Sequence, residues 1–265
     1  MFQAYLFKMA TKKTRESFVF LLSRIVVLSI SLIIARTLAK FHSIPLMDNN
    51  AQGQLVEKLR HYINLLSGIN DQLYHRIKLS TSPFLNDLPW SKILQDIDLI
   101  ERVLQDETSI WSKLTIVVCH NDTQSLNFLS DDQKITLIDF EHCARNYWLY
   151  DVYNHFLEYA GCDTEEPDYD RAYPTRDKQK KWLSTYLSHA NFLNDRLEKT
   201  MTMDELCDLG DRLRAPIHLY WALWAFLEAL LNPESMQKFD YVKYGKCRLN
   251  EYEKCKKEFF LSNEK

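Results

Sequence analysis

Apolar residues recur along this 265-residue chain with two different periods, and the change of period marks where its chemistry lies. Ile93, Ile97, Ile100 and Leu104 fall at helical spacing, so residues 93–104 read as an amphipathic helix. Residues 31–43, 52–67, 177–188 and 203–213 read as helices too. Residues 215–231 are nearly all apolar, but His218, Glu228 and the short length make them a core helix rather than a membrane span. Asn232-Pro233 stops that helix, and a last helix beyond it finishes in a charged tail. Residues 151–160 form a further helix, closed by Gly161 at the position after its end. Pro83 and Pro89 punctuate a linker over 80–89. Two short runs break the helical rhythm: Ile116-Val117-Val118-Cys119 and Ile135-Thr136-Leu137-Ile138. Both are rich in β-branched residues and bounded by polar turns, so both read as buried strands, with a hairpin bearing the loop between them.

Each run ends in a polar cluster. His120-Asn121-Asp122 follows the first, with Asn127 five residues beyond Asp122; Asp139-Phe140-Glu141 follows the second. An H-x-D-x4-N loop followed by a strand ending in I-D-F is how kinase-like enzymes place a phosphotransfer centre. Asp122 can accept the proton of an acceptor hydroxyl and align it in-line. Asn127 and Asp139 offer hard oxygen ligands to Mg²⁺, which bridges the phosphates of ATP. One such loop alone is a weak signal; the pair together is specific.

The flanks carry a resemblance to the choline/ethanolamine kinase family from Ser31 onward. Ile34-Ala35-Arg36-Thr37-Leu38-Ala39-Lys40-Phe41-His42 is similar to the family's helix after the lobe hinge. His120-Asn121-Asp122 and Ile138-Asp139-Phe140-Glu141 resemble its two signature motifs. Asn146-Tyr147, Tyr150-Asp151, Asn154-His155-Phe156, Glu158, Trp221-Ala222-Leu223-Trp224 and Phe239-Asp240-Tyr241 with Tyr244, Arg248 and Tyr252 follow in the family's order. The resemblance implies an α+β, protein-kinase-like fold, mainly the helical C-terminal lobe with a small catalytic β-hairpin. It implies ATP-dependent phosphorylation of ethanolamine, the first step toward phosphatidylethanolamine, with Mg²⁺, in the cytoplasm, and a homodimer as a possible assembly. Asp122 is then the base, Asn127 and Asp139 hold Mg²⁺, and Gln124 and Glu141 are supporting metal or substrate contacts. Glu158, Trp221, Trp224 and Tyr244 would form the acceptor pocket, and Asp151 would brace the catalytic loop. Indole faces attract cations, at about 0.5–2 kcal/mol per contact, although a Trp-rich apolar helix taken by itself reads more readily as core. Phe156-Leu157-Glu158-Tyr159-Ala160-Gly161 leans toward ethanolamine kinases, whereas Gln124 is nearer the choline kinase pattern, so choline or both alcohols stay open. A non-catalytic binding or regulatory protein is the remaining alternative.

Two positions depart from the family pattern. His142 stands where Tyr is usual, and Tyr153 where Gly is usual. A protonated His142 would repel a cation, and Tyr153 reads as filling space left by another change. The larger departure is upstream. Kinases of this kind use an N-terminal lobe with a glycine-rich loop and a phosphate-clamping lysine. The five glycines, Gly53, Gly68, Gly161, Gly210 and Gly245, make no such loop. Residues 1–30, basic and then apolar, stand in place of that lobe, and 31–265 form the kinase-like part; a truncated gene model or a splice variant would explain the start. Arg24 interrupts the apolar stretch 18–35, so membrane contact there is open but not favoured. A formal charge of −3 leaves no footprint for nucleic acid. Six scattered cysteines without C-x-x-C spacing read as reduced thiols. The five carboxylates between Asp163 and Asp170 read as a solvated loop.

Overall fold

A computed structural model describes residues 30–46, 52–67, 88–131, 134–161 and 164–260. Residues 1–29, and with them most of the basic and apolar N-terminal stretch, lie outside the described residues, as does most of the linker 80–89. Among the described residues no helix is long and apolar enough to cross a membrane. The chain divides into two compact units. One takes the described residues of Met1–Ala51, Thr115–Cys162 and Asp168–Gly210; the other takes those of Gln52–Leu114, Asp163–Pro167 and Asp211–Lys265.

The first unit opens with helix α1, residues 30–42. Its Ile34, Ala35, Leu38 and Ala39 are buried at the i, i+1, i+4, i+5 spacing that gives a helix one apolar stripe. In the second unit α2 (Leu55–Ser67) and α3 (Trp90–Gln105) follow. The buried residues of α3 are Ile93, Ile97, Ile100 and Val103; Leu104, taken from sequence as the fourth, is only half-buried.

Among the described residues, the segment carrying the two polar motifs holds four strands in two antiparallel pairs. β1 (Ile116–Cys119) pairs with β4 (Ala144–Tyr147), and β2 (Phe128–Asp131) pairs with β3 (Lys134–Leu137). The two apolar runs therefore do not pair with each other. Each takes as partner a strand too polar to stand out by pattern, Ala144-Arg145-Asn146-Tyr147 or the run from Phe128. Nor are they buried on both faces. Val117 and Cys119 point inward between half-buried Ile116 and Val118, and Ile135 and Leu137 alternate with exposed Lys134 and Thr136. Only one face of such a ladder meets the core, which is the ordinary antiparallel arrangement.

α4 (Trp148–Leu157) is buried on every side and runs on through a 3₁₀ turn, Glu158–Ala160, to Gly161. Gly161 has φ 111°, a conformation that costs a side-chain-bearing residue dearly, and so it closes the helix as its sequence position suggests. α5 (Tyr169–Ala172), α6 (Arg176–Leu187) and α7 (Met203–Arg212) complete the surroundings of the first unit. Tyr153 fills space against Gly210: a Cβ there would lie 1.8 Å from Tyr153 Cε2, and the Tyr153 hydroxyl donates to the Cys207 carbonyl at 3.0 Å. The large side chain on one helix is accommodated by the missing one on another.

In the second unit α8 (Arg214–Leu231) and α9 (Tyr241–Phe260) pack closely, with Gly245 facing the ring of Phe226. The acidic stretch is less free than its composition suggests. Glu166 pairs with Lys243 at 2.8 Å and Glu165 accepts from the Asp240 amide at 3.4 Å. In the first unit Asp168 caps α5 by accepting from the Arg171 amide.

Candidate active site

The loop from His120 to Gln124, which runs into a 3₁₀ turn at Ser125–Asn127, is held in shape by hydrogen bonds to buried groups. Asn121 has φ +62°, a left-handed conformation that Asn tolerates better than most residues. Its side chain is locked on both ends: Oδ1 accepts from Asn146 Nδ2 at 2.9 Å, and Nδ2 donates to the His142 carbonyl at 3.0 Å. Beneath the loop lies the fully buried carboxylate of Asp151 on α4. Oδ2 accepts the His120 amide and Oδ1 the Asn121 amide, both at 2.7 Å, while Thr123 Oγ1 donates to the Asp151 carbonyl at 2.8 Å. Asn154 Nδ2 donates to Thr123 Oγ1 at 3.2 Å, and His155 Nδ1 donates to the Thr123 carbonyl at 3.1 Å. Burial holds the His155 ring neutral, with its pKa lowered to about 4.

Asp122, 6% exposed, sits at the centre of this loop. Both neighbouring amides converge on one of its oxygens: Asn127 Nδ2 donates to Oδ2 at 2.7 Å and Gln124 Nε2 at 2.9 Å. Asn127 Nδ2 also reaches the Asp122 carbonyl at 2.9 Å. Burial raises the Asp122 pKa above the ordinary carboxylate value. The Gln124 hydrogen bond, the nearby His142, the Asn127 hydrogen bond and His120 oppose the rise. A carboxylate made more basic by desolvation, with one oxygen steered by two amides, can receive a hydroxyl proton through the other.

The second motif is fastened to the first through Ile138. Its amide donates to the Asn127 carbonyl at 3.1 Å, and its carbonyl accepts from His120 Nε2 at 2.8 Å. Asp139 therefore follows directly on a residue tied to Asn127, with φ +65° and an exposed carboxylate. With its amide nitrogen committed to Asp122, Asn127 has a carbonyl oxygen to offer a cation. Asn127 and Asp139 thus fit a hard divalent ion by donor type and by backbone proximity. Phe140 packs its ring against His120 and Phe41, at 5.2 and 5.8 Å between centroids. Glu141 is an exposed side chain, 3.5 Å from His142 Nε2. Glu158 is buried in the 3₁₀ turn after α4, within the same unit as Asp122.

Trp221, Trp224 and Tyr244 belong to the second unit. Trp221 and Trp224 stand one helical turn apart on α8, with rings 5.2 Å apart and 83° between planes. Trp224 meets Tyr241 edge-on at 5.7 Å, and Tyr244 meets Phe239 at 5.5 Å. The two indoles are thus packed edge to face. Tyr244 differs from the tryptophans. Its hydroxyl accepts from buried Arg248 Nε at 2.8 Å, and the Arg248 guanidinium carbon is 5.1 Å from the ring centroid. Its ring already has a cation for company. His218 accepts from Arg248 at 3.3 Å, and burial, then Arg248, holds its pKa far below normal.

His42, which the motif reading placed only as the last letter of a pattern, also belongs to the loop's foundation. Its Nε2 lies 2.9 Å from Asp151 Oδ2 and its Nδ1 lies 2.6 Å from the Tyr186 hydroxyl. His42, Cys119 and Asp151 bring potential ligand atoms within 4.8 Å of one another. Hydrogen bonds from protein groups already satisfy the imidazole and the carboxylate, so a metal is not needed to explain the cluster. No spacing rule could have pointed to Tyr186, 144 residues away in sequence.

A family model for choline/ethanolamine kinase matches residues 16–253. Ethanolamine kinase 1 of Homo sapiens is 31% identical over 233 residues, 85% of this chain and 48% of that protein. The probable ethanolamine kinase of Nematostella vectensis is 31% identical over 240 residues, 88% of this chain and 64% of that one. The chain thus spans about half to two-thirds of the length of the curated relatives it matches. Among solved structures, an ethanolamine kinase of Plasmodium vivax superposes with a TM-score of 0.66 at 23% identity, covering 84% of this chain and 58% of that one. A choline kinase of Cryptosporidium parvum gives 0.63 at 20% identity, over 87% and 65% of the two chains. These likenesses establish the kinase-like α+β fold, and with the extent of the family match they establish that the chain belongs to the choline/ethanolamine kinase family.

Proposed function

We propose that this protein transfers the terminal phosphoryl group of ATP to the hydroxyl of ethanolamine. The observation that carries the reading is the Asp122 carboxylate: desolvated, raised in pKa, and held through one oxygen by Asn127 and Gln124. An acceptor hydroxyl hydrogen-bonded to the other oxygen would be aligned for in-line attack and would lose its proton to Asp122 as the bond to phosphorus forms. Phosphoryl transfer asks the protein mainly for position and charge stabilisation. Asn127 and Asp139 would hold Mg²⁺, which when bound supplies neutralisation of the developing negative charge. Gln124, assigned from sequence to metal or substrate, is better read as a clamp on Asp122, since its amide nitrogen is spent there. By the family resemblance, Trp221, Trp224, Tyr244, Glu158 and Glu141 are the residues proposed to bind the acceptor. The curated relatives named above are ethanolamine kinases, which favours ethanolamine over choline.

The test is ATP consumption by the purified chain with Mg²⁺ and ethanolamine, beside choline and beside Asp122→Ala. Turnover abolished in the variant, with kcat/KM higher for ethanolamine, supports the reading. Turnover with choline alone replaces the substrate. A folded chain that turns over neither alcohol removes the catalytic proposal and leaves the binding-protein alternative, which amino-alcohol binding without ATP binding would identify.

A further inference from the structure

We propose that His42 is a positioning residue for Asp122, acting through Asp151 and itself held by Tyr186. The inference rests on the role given to Asp122 above, but its geometry stands apart from that role. Asp151 has two tasks for one carboxylate, because its two oxygens receive the consecutive amides of His120 and Asn121. Both bonds must keep their direction for Asn121 to stay at φ +62° and for Asp122, the next residue, to face the centre of the site. Both amides come from the loop itself, so they tie the carboxylate to the loop and not to the rest of the fold. His42 Nε2, donating to Oδ2 at 2.9 Å from another helix, supplies an anchor outside the loop.

The imidazole is fixed in turn. To face a carboxylate, Nε2 must carry a proton, and Nδ1 on the far side of the ring is hydrogen-bonded to the Tyr186 hydroxyl at 2.6 Å. Tyr186 cannot swing away: its ring is stacked on Trp148 at 4.8 Å and 9°, and on Trp182 at 5.8 Å and 14°. His42, Asp151 and Tyr186 are all at most 1% exposed, so no water competes for these bonds. The chain of contacts runs from α6 through the end of α1 to α4 and into the loop. The pose of the catalytic carboxylate is thereby tied to the seating of α1.

The experiment uses the full chain with His42→Leu, His42→Gln and Tyr186→Phe. Gln keeps an N–H for Asp151, Leu keeps none, and Phe removes only the hydroxyl while the ring stack remains, which protects against a simple failure to fold. Amide hydrogen exchange at His120 and Asn121 is measured together with kcat and KM for ethanolamine. In His42→Leu those two amides should exchange about tenfold faster or more, while amides of α8 keep their protection. Turnover should fall about tenfold to a hundredfold at a KM changed less than about twofold. His42→Gln should recover part of both losses, and Tyr186→Phe should show both in weaker form. Unchanged protection at His120 and Asn121 in His42→Leu overturns the proposal, as does equal loss in the Leu and Gln variants. A wild-type chain without turnover would defeat the proposed function only; the exchange measurement would still decide the brace.

Discussion

Acidification should loosen this protein in part through one buried ring, His155. The imidazole is buried on α4 and its pKa is lowered to about 4, chiefly by desolvation, against 6.5 for the free side chain. Between those values the unfolded chain binds a proton at this position and the folded chain does not. Stability is therefore fully present above pH 6.5 and is lost as pH falls toward 4. The gap of about 2.5 units corresponds to roughly 3 kcal/mol in all, of which about 2 kcal/mol is gone by pH 5. A global stability of 5–15 kcal/mol is typical for a folded domain, so the loss is a substantial share of it. The assay is urea unfolding at intervals from pH 7.5 to 4.5 for wild type and for His155→Gln, whose amide can still donate to the Thr123 carbonyl. The difference between the two stabilities should grow by about 2 kcal/mol in favour of the variant between pH 7.5 and 5. His218, also depressed, contributes equally to both proteins and cancels in the difference. Parallel pH profiles would refute the reasoning and mean that the site hydrates or opens before the ring is charged.

Asp122→Asn should cut turnover by about two to four orders of magnitude in kcat measurements. The same variant should melt no lower than wild type at neutral pH, because burial makes the ionised carboxylate costly and the amide removes the charge. His142→Tyr takes away a group whose positive charge lowers the Asp122 pKa, so the acid limb of the kcat profile should move to higher pH; an unmoved limb would sever the two residues electrostatically. Gly210→Ala ordinarily favours a helix, but here the new Cβ meets three Tyr153 ring carbons at 1.8 to 2.5 Å. Thermal unfolding should show a loss of about 1–3 kcal/mol, largely relieved by Tyr153→Leu in the same chain.

Much of this protein was legible because its chemistry is local. Asp122 and Asn127 are five residues apart, the two clusters sit at the ends of apolar strands, and the helices announce themselves by spacing. Trp221 and Trp224 could be placed on one helical face for the same reason. Local pattern erred where pairing was non-local. β1 and β3 were visible, whereas β4 was not, since Arg145 and Asn146 interrupt any apolar pattern and Asn146 is engaged in the Asn121 lock.

What the sequence by itself determined is the set of candidate reacting groups proposed above and the order in which the chain presents them, because residue type and short spacing dictate what a loop can offer. Only the tertiary structure decided how those groups are held. His42 and Tyr186 are 144 residues apart and Tyr153 and Gly210 are 57 apart in number, yet each pair is a contact. A hydrogen bond or a filled gap depends on distance in space, and no periodicity along the chain encodes it. The aim of Asp122 is therefore a property of the fold, while its presence is a property of the sequence.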